Sequence, residues 1–380
     1  MVALVLEHGA DPEQPDPWGQ TPLIAACIPY SSRTAGRIYA SSDAETNFRR
    51  ILDLTTNVNH RDDSGSTALH YLHEPSFVLP LLSRGADIDA RDKRGRTPLL
   101  NAVWNSHTEV ARILFSHGAD GNVKGPDDDP LLHLAIERDG YPEMVSLILE
   151  NGADPEQTDF FGITPLMLAC RGYRTNAPER DFAFADKEAN FRRILDLTRD
   201  VNIKDRIGRT ALHFVREEAF LAPLLSRGVD INGRDRQGQT PLHYTANSSG
   251  SFIEPLLRYG ADPNLRDRSG KTPLHYASVN SDPESTRKVI ERGANLEIRD
   301  RSGRTPLHWA ATSLYLEGLR ILLAAAANVN ARDNKGRTPL GLIETVNILD
   351  VEAEYDAYPG SWTRIKDQIV ETLVNSGGTR

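Results

Sequence analysis

The phrase RDRQGQTPLHY at Arg234–Tyr244 returns as RDRSGKTPLHY at Arg266–Tyr276, as RDRSGRTPLHW at Arg299–Trp309 and as RDNKGRTPLG at Arg332–Gly341. Self-similarity at a period near 33 residues marks a stack of supersecondary units, each too small to bury its apolar face alone. The Thr of each T-P-L, or the residue replacing it, serves as a ruler. It falls at Thr21, Thr67, Thr97, Pro130, Thr164, Thr210, Thr240, Thr272, Thr305 and Thr338, with spacings of 46, 30, 33, 34, 46, 30, 32, 33 and 33. The order recurs after 143 residues: Met1–Leu23 aligns without a gap on Met144–Leu166, and NFRRILDLT occurs at Asn47 and again at Asn190. A four-repeat unit has been duplicated.

The residues of one repeat explain its local structure. Thr97 can cap a helix whose first position, Pro98, needs no N–H. Ala102 and Val103 are small enough for that short helix to approach a partner. The partner is predicted near Thr108–Ser116, where Val110, Ile113 and Leu114 recur at helical spacing. Gly118 then supplies a left-handed turn. The phrase T-P-L-H-x-A, a helix pair and G-A-D together resemble the ankyrin repeat. The resemblance covers about residues 1–340 and implies an all-α solenoid of helix–turn–helix repeats with short β-hairpin-like fingers. It also implies that the motif histidines His70, His133, His213, His243, His275 and His308 are structural hydrogen-bonding residues, although a row of histidines taken alone is compatible with metal or acid–base work.

Aromatic residues make up only 7% of the chain, which fits a thin layered core. Cys27 and Cys170 occupy equivalent places four repeats apart, too far for a disulfide, and read as small buried apolar residues in a reducing compartment. The start lacks a basic leader region, and no apolar run reaches the roughly eighteen residues of a membrane span. The expected location is intracellular, cytoplasmic or nuclear, with no membrane association.

Some repeats depart from the pattern. Thr55, Thr198 and Ala326 replace the glycine that closes the second helix, so each position is either strained or ends its helix differently. The 46-residue repeats carry insertions near 28–45 and 171–188, with aromatics at matched offsets: Tyr30 with Tyr173, and Tyr39 with Phe182. These are expected to extend the helix pair and pack its aromatics, a binding loop being the alternative. Thr67 and Thr210 head shortened repeats. Met1 falls inside a second helix whose partner is missing, leaving Val2, Leu4, Val5 and Leu6 without cover on one side. At the other end, 341–380 reads as a capping segment with a helix from about Trp362 to Val374, Ile365, Ile369, Val370 and Leu373 on one face, and Gly377 and Gly378 beyond it.

The residues carry no catalytic constellation. Gly270-Lys271-Thr272 ends like a phosphate-binding loop, but Leu265 stands where its first glycine belongs, and the repeat register explains all three residues. His73-Glu74 opens like a zinc-protease motif, but Phe77 replaces the second histidine. Neither a nucleophile elbow nor a cysteine cluster occurs. The expectation is a non-enzyme with no cofactor and no metal.

The resemblance directs attention to the fingers, the segments preceding each T-P-L, and to the exposed side of the first helices, because such surfaces commonly dock partners. Pro17-Trp18 is apolar, Asp62-Asp63-Ser64 acidic, Lys93-Arg94-Gly95-Arg96 basic, Asp127-Asp128-Asp129 acidic and Phe160-Phe161 aromatic. Five basic fingers follow, carrying Arg206 and Arg209, Arg236, Arg268 and Lys271, Arg301 and Arg304, then Lys335 and Arg337. Charge agrees: the chain totals −9, yet residues 201–340 hold 21 Lys and Arg against 15 Asp and Glu. Behind this stripe the place after the motif histidine is aromatic in Tyr71, Phe214, Tyr244, Tyr276 and Trp309. Arg and aromatic side chains together favour interfaces. The plainer alternatives are packing between repeats for the aromatics and pairing with Asp235, Asp267, Asp300 and Asp333 for the cations. The expected role is a monomeric scaffold or adaptor binding an acidic or phosphorylated segment of another protein. A targeting module of a larger protein or enzyme is the alternative. Nucleic-acid binding is disfavoured by the acidic remainder of the chain and the aspartates beside each finger arginine.

Overall fold

Threonine and proline open the first helix of most repeats, and where the fourth place is histidine it ties that helix to the next repeat. In the computed structural model Thr240 N–H donates to His243 Nδ1 at 3.1 Å, while His243 Nε2 lies 3.2 Å from the carbonyl of Lys271, one repeat further on. Nδ1 therefore accepts and Nε2 donates, which fixes one neutral tautomer. His213, His275 and His308 bond in the same way to Gln239, Arg304 and Arg337. The structural role expected of the motif histidines is what this geometry provides.

The structure describes residues 11–28, 41–138, 142–171, 184–248, 252–280, 282–346 and 361–380. The chain divides into two units, Met1–Arg199 and Asp200–Arg380. Each is a stack of helix pairs. In the first unit Pro98–Trp104 pairs with Thr108–Ser116, and Leu131–Arg138 with Pro142–Glu150. In the second, Pro241–Ala246 pairs with Ile253–Arg258, Pro273–Ala277 with Pro283–Glu291, and Pro306–Thr312 with Leu316–Ala324. The core is a row of residues such as Leu242, Ala246, Leu256, Leu274, Ala277 and Val289, all removed from solvent. Each repeat contributes a few small and branched apolar side chains, so the stack grows by adding layers of constant thickness. Cys27 and Cys170 are buried free thiols.

The irregular repeats follow from their lengths. At Thr67 and Thr210 the first helix shrinks to the 3₁₀ turns Ala68–Tyr71 and Ala211–His213. The long repeats have second helices of 14 residues, Ser41–Leu54 and Phe184–Leu197, against nine for Thr108–Ser116. Tyr30, Tyr39, Tyr173, Phe182 and the segment before Asp11 lie outside the described residues. The three glycine replacements divide. Ala326 enters the left-handed region at φ 64°. Thr55 and Thr198 instead end their helices by hydroxyl bonds to the carbonyls of Ile51 (2.9 Å) and Ile194 (2.7 Å).

Helix Ser361–Asn375 buries Ile369 and Leu373 completely. It packs against Pro339–Ile343 and Leu316–Ala324 and ends as second helices do. Asn330 Nδ2 donates to Gly377 O at 3.0 Å and its Oδ1 accepts from Thr379 N–H at 2.7 Å. Asn264 makes the same pair of bonds to Gly293 and Asn295. The C-terminal helix thus stands where the second helix of the last repeat belongs.

Among the described residues the fingers form no strand, and one isolated antiparallel bridge joins Lys124 and Pro130. Each finger is instead a tight loop: Asp235 N–H donates to Gln239 O and Gly238 N–H to Asp235 O, both at 3.0 Å. Successive loops are linked through their backbones, Arg236 N–H to Ile207 O at 2.8 Å, Arg268 to Gln237 at 2.8 Å, and Arg301 to Ser269 at 2.9 Å. That approach explains one glycine: a Cβ on Gly208, itself at φ 90°, would lie 2.8 Å from Arg236 N.

Candidate protein-binding surface

The fingers of the second unit are built around a buried aspartate. Oδ1 of Asp267 accepts from the amides of Ser269 (2.8 Å) and Lys271 (2.9 Å). Asp235, Asp300 and Asp333 use Oδ1 identically on the residues two and four places on. The other oxygen is taken by a side chain. Tyr244 OH donates to Asp235 at 2.8 Å, Tyr276 OH to Asp267 at 2.7 Å, and Trp309 Nε1 to Asp300 at 2.9 Å. In Asp205 and Asp333 the donor is an arginine, Arg209 Nε at 2.7 Å and Arg337 Nε at 2.9 Å. Burial opposes the Asp267 carboxylate, but the bonds from Tyr276, Ser269 and Lys271 outweigh it, and its pKa lies below the usual range. Burial and the facing carboxylates push the phenols of Tyr244 and Tyr276 well up.

This arrangement sorts the predicted cations into two rows. Arg209, Lys271, Arg304 and Arg337, just before each Thr, are half-buried. Arg209 lies 4.3 Å from the ring centroid of the buried Phe214, Lys271 3.7 Å from that of Trp309, and Arg304 5.8 Å from the same ring. Gln239 occupies this row too and donates to Tyr276 OH at 2.8 Å. Sequence reasoning passed over Gln239 because it carries no charge, although it is in register with Lys271. The second row, Arg206, Arg236, Arg268, Arg301 and Lys335, is exposed at the loop tips. Among the described residues no ion pair neutralises the side chains of Arg236, Arg268, Arg301 or Lys335. The aspartate of each loop is occupied by that loop, so of the alternative pairings at Asp235, Asp267, Asp300 and Asp333, the one seen among the described residues is Asp333 with Arg337, and Asp205 pairs with Arg209 besides.

Arg268, Lys271, Arg301 and Trp309 come together around a groove of about 610 Å³ that Ser269 and Ser302 also line. Of the other predicted residues, Arg206, Arg209, Arg236, Arg304 and Lys335 do not line that groove, and neither do Phe214, Tyr244, Tyr276 and Arg337. Their rings and guanidinium serve the loops and the packing. Elsewhere, Trp18, Phe160 and Phe161 stand 68%, 52% and 66% exposed at fingers of the first unit.

A family model described as ankyrin repeats (three copies) matches in overlapping segments over residues 38–125, 72–159, 132–214, 182–267 and 245–333. The chain belongs to the ankyrin-repeat family. Its repeats are similar to those of the B-cell lymphoma 3 protein homolog of Mus musculus, 36% identical over 44% of this chain and 36% of that protein. The nuclear factor NF-kappa-B p105 subunit of Gallus gallus is 33% identical over 41% of this chain and 17% of its own length. BCL-6 corepressor-like protein 1 of Homo sapiens is 30% identical over 42% and 9%. The matched segment thus spans little more than a third of these relatives at most. Ankyrin repeats of this kind are a protein–protein interaction module. Among the described residues no helix is long and apolar enough to cross a membrane.

Proposed function

We propose that this ankyrin-repeat chain is a non-catalytic adaptor that holds an extended acidic or phosphorylated segment of another protein along the fingers of its second unit. The observation that carries the reading is the division of labour within each loop. The aspartate is spent on the loop itself, which leaves the charge of Arg236, Arg268 and Arg301 facing solvent. Lys271 and Trp309 offer a cation and an apolar edge beside them. The arginines steer association and make it salt-dependent, while burial beside Trp309 slows dissociation.

The test is fluorescence anisotropy with a labelled peptide of alternating phosphoserine and glycine, and with its glutamate counterpart. Binding to the native chain is expected to weaken with salt. The triple variant Arg236→Ala, Arg268→Ala, Arg301→Ala is expected to bind about 3- to 100-fold more weakly, each exposed charge contributing about 0.2–1 kcal/mol, with an unchanged unfolding midpoint. Equal affinity of that variant overturns the docking surface. Tighter binding of a single-stranded oligonucleotide than of either peptide at matched salt overturns the protein-partner reading. The alternative is a targeting module of a larger protein, for which the support is that the relatives extend well beyond the matched segment.

A further inference from the structure

Between the third and fourth fingers of the first unit lies a cavity of about 240 Å³. Leu100, Trp104 and Leu134 give it apolar lining, Trp104 being 42% exposed. The third finger contributes Arg94 and Arg96, and the fourth contributes Asp127 and Asp129.

The fourth finger departs from the others at each key position. Gly125 stands where the third finger has its buried Asp92, Asp128 takes the left-handed place of Gly95 at φ 63°, and Asp129 replaces Arg96. With no internal carboxylate to gather its amides, the loop closes by backbone bonds alone, Gly125 N–H to Asp129 O at 2.9 Å and Asp128 N–H to Gly125 O at 3.1 Å. The acidic side chains point their charge elsewhere. Lys124 answers Asp128 at 3.0 Å, but among the described residues the carboxylates of Asp127 and Asp129 make no hydrogen bond or ion pair. Across the cavity Arg96 is held by Asp92 at 2.8 Å, which leaves Arg94 alone to face two carboxylates. Partial burial, reinforced by Asp159, Asp127 and Asp128, raises the pKa of Asp129. A cation brought to this spot relieves that repulsion.

We propose that this cavity seats an arginine or lysine side chain from an extended segment of a partner protein. The aliphatic stem lies along Leu100, Trp104 and Leu134, and the cationic head meets Asp129 and Asp127. A long basic side chain suits this lining because its stem is apolar and its head demands a carboxylate. The site belongs to the first unit and stands or falls independently of the fingertips of the second.

The probe is the peptide acetyl-Gly-Gly-Arg-Gly-Gly-amide, with lysine, norleucine or glutamate in place of arginine in parallel arms. Each is titrated into the ¹⁵N-labelled full chain while the Trp104 indole resonance is followed, assigned among the four tryptophans with Trp104→Phe. The arginine and lysine peptides are expected to shift it saturably, and the norleucine and glutamate peptides are not. Asp129→Asn is expected to weaken the arginine peptide about 2- to 5-fold, the range for an exposed ion pair, and Asp129→Lys to abolish its effect. Both variants should keep the native unfolding midpoint to within a few degrees, because Asp129 makes no internal side-chain bond. An equal shift by norleucine, an unchanged affinity in Asp129→Asn, or no shift by the arginine peptide at any accessible concentration overturns the proposal.

Discussion

Ala326 and His133 show how a single atom or dihedral sets the cost of departing from the repeat. Ala326 holds φ 64° at the turn where the other repeats of its unit have glycine, while its neighbour Ala327 still bonds back to Leu322 O at 3.0 Å. Ala326→Gly is expected to raise stability by about 1 kcal/mol, the penalty of a left-handed L-residue, and a thermal melt with a lower midpoint refutes this. His133 is buried with Nδ1 unpartnered. The residue that should donate to it is Pro130, which has no N–H. Pro130→Thr restores the donor and a cap, and should stabilise by about 1 kcal/mol in chemical denaturation. Burial also holds His243 and His275 at a pKa of about 4, and lowers His70, His133, His213 and His308. The unfolded chain, with ordinary histidines near 6.5, therefore binds more protons than the native one between those values. Stability is expected to fall as pH drops from about 6.5 towards 4. A flat unfolding midpoint across that range would falsify the assignment of neutral imidazoles.

At the level of the element, the finger is a loop folded around one carboxylate. Tyr276→Phe leaves Asp267 Oδ2 without its phenol and is expected to cost about 1 kcal/mol, with faster hydrogen exchange at the Ser269 and Lys271 amides. Much of this element was legible in the sequence. Thr, Pro, His and Gly recur because each answers a specific backbone need, at the cap, the first turn, the inter-repeat carbonyl and the left-handed turn. The C-terminal helix was also readable from the spacing of Ile369 and Leu373, but its place as a second helix was not, because that depends on Asn330 reaching Gly377 and Thr379 across 47 and 49 residues. Nor was the sorting of the basic stripe. Arg206 and Arg209 look equivalent in a list of charges, yet the Arg209 guanidinium lies on Asp205, and which cation does so is decided by how the loop curls. The prediction that follows is asymmetric: Arg337→Ala should destabilise by about 1–2 kcal/mol by stranding buried Asp333, whereas Arg268→Ala should stay within about 0.5 kcal/mol of the native chain.

Across the whole molecule the overall charge of −9 conceals a stretch, residues 201–340, with an excess of six positive charges. An acidic chain can therefore bind an acidic peptide, and raising salt should weaken that binding, whereas a chain read by net charge alone predicts the reverse trend. The backbone links between neighbouring fingertips, from Ile207 to Arg236, Gln237 to Arg268 and Ser269 to Arg301, carry a further consequence. Because each tip is bolted to the one before it, the arginines advance by one layer thickness per repeat, roughly 8–10 Å. Three residues of an extended polypeptide cover about 10 Å. The row is thus a ruler graduated in triplets, and a peptide with its negative charges at every third residue should be favoured over one with the same charges at every second.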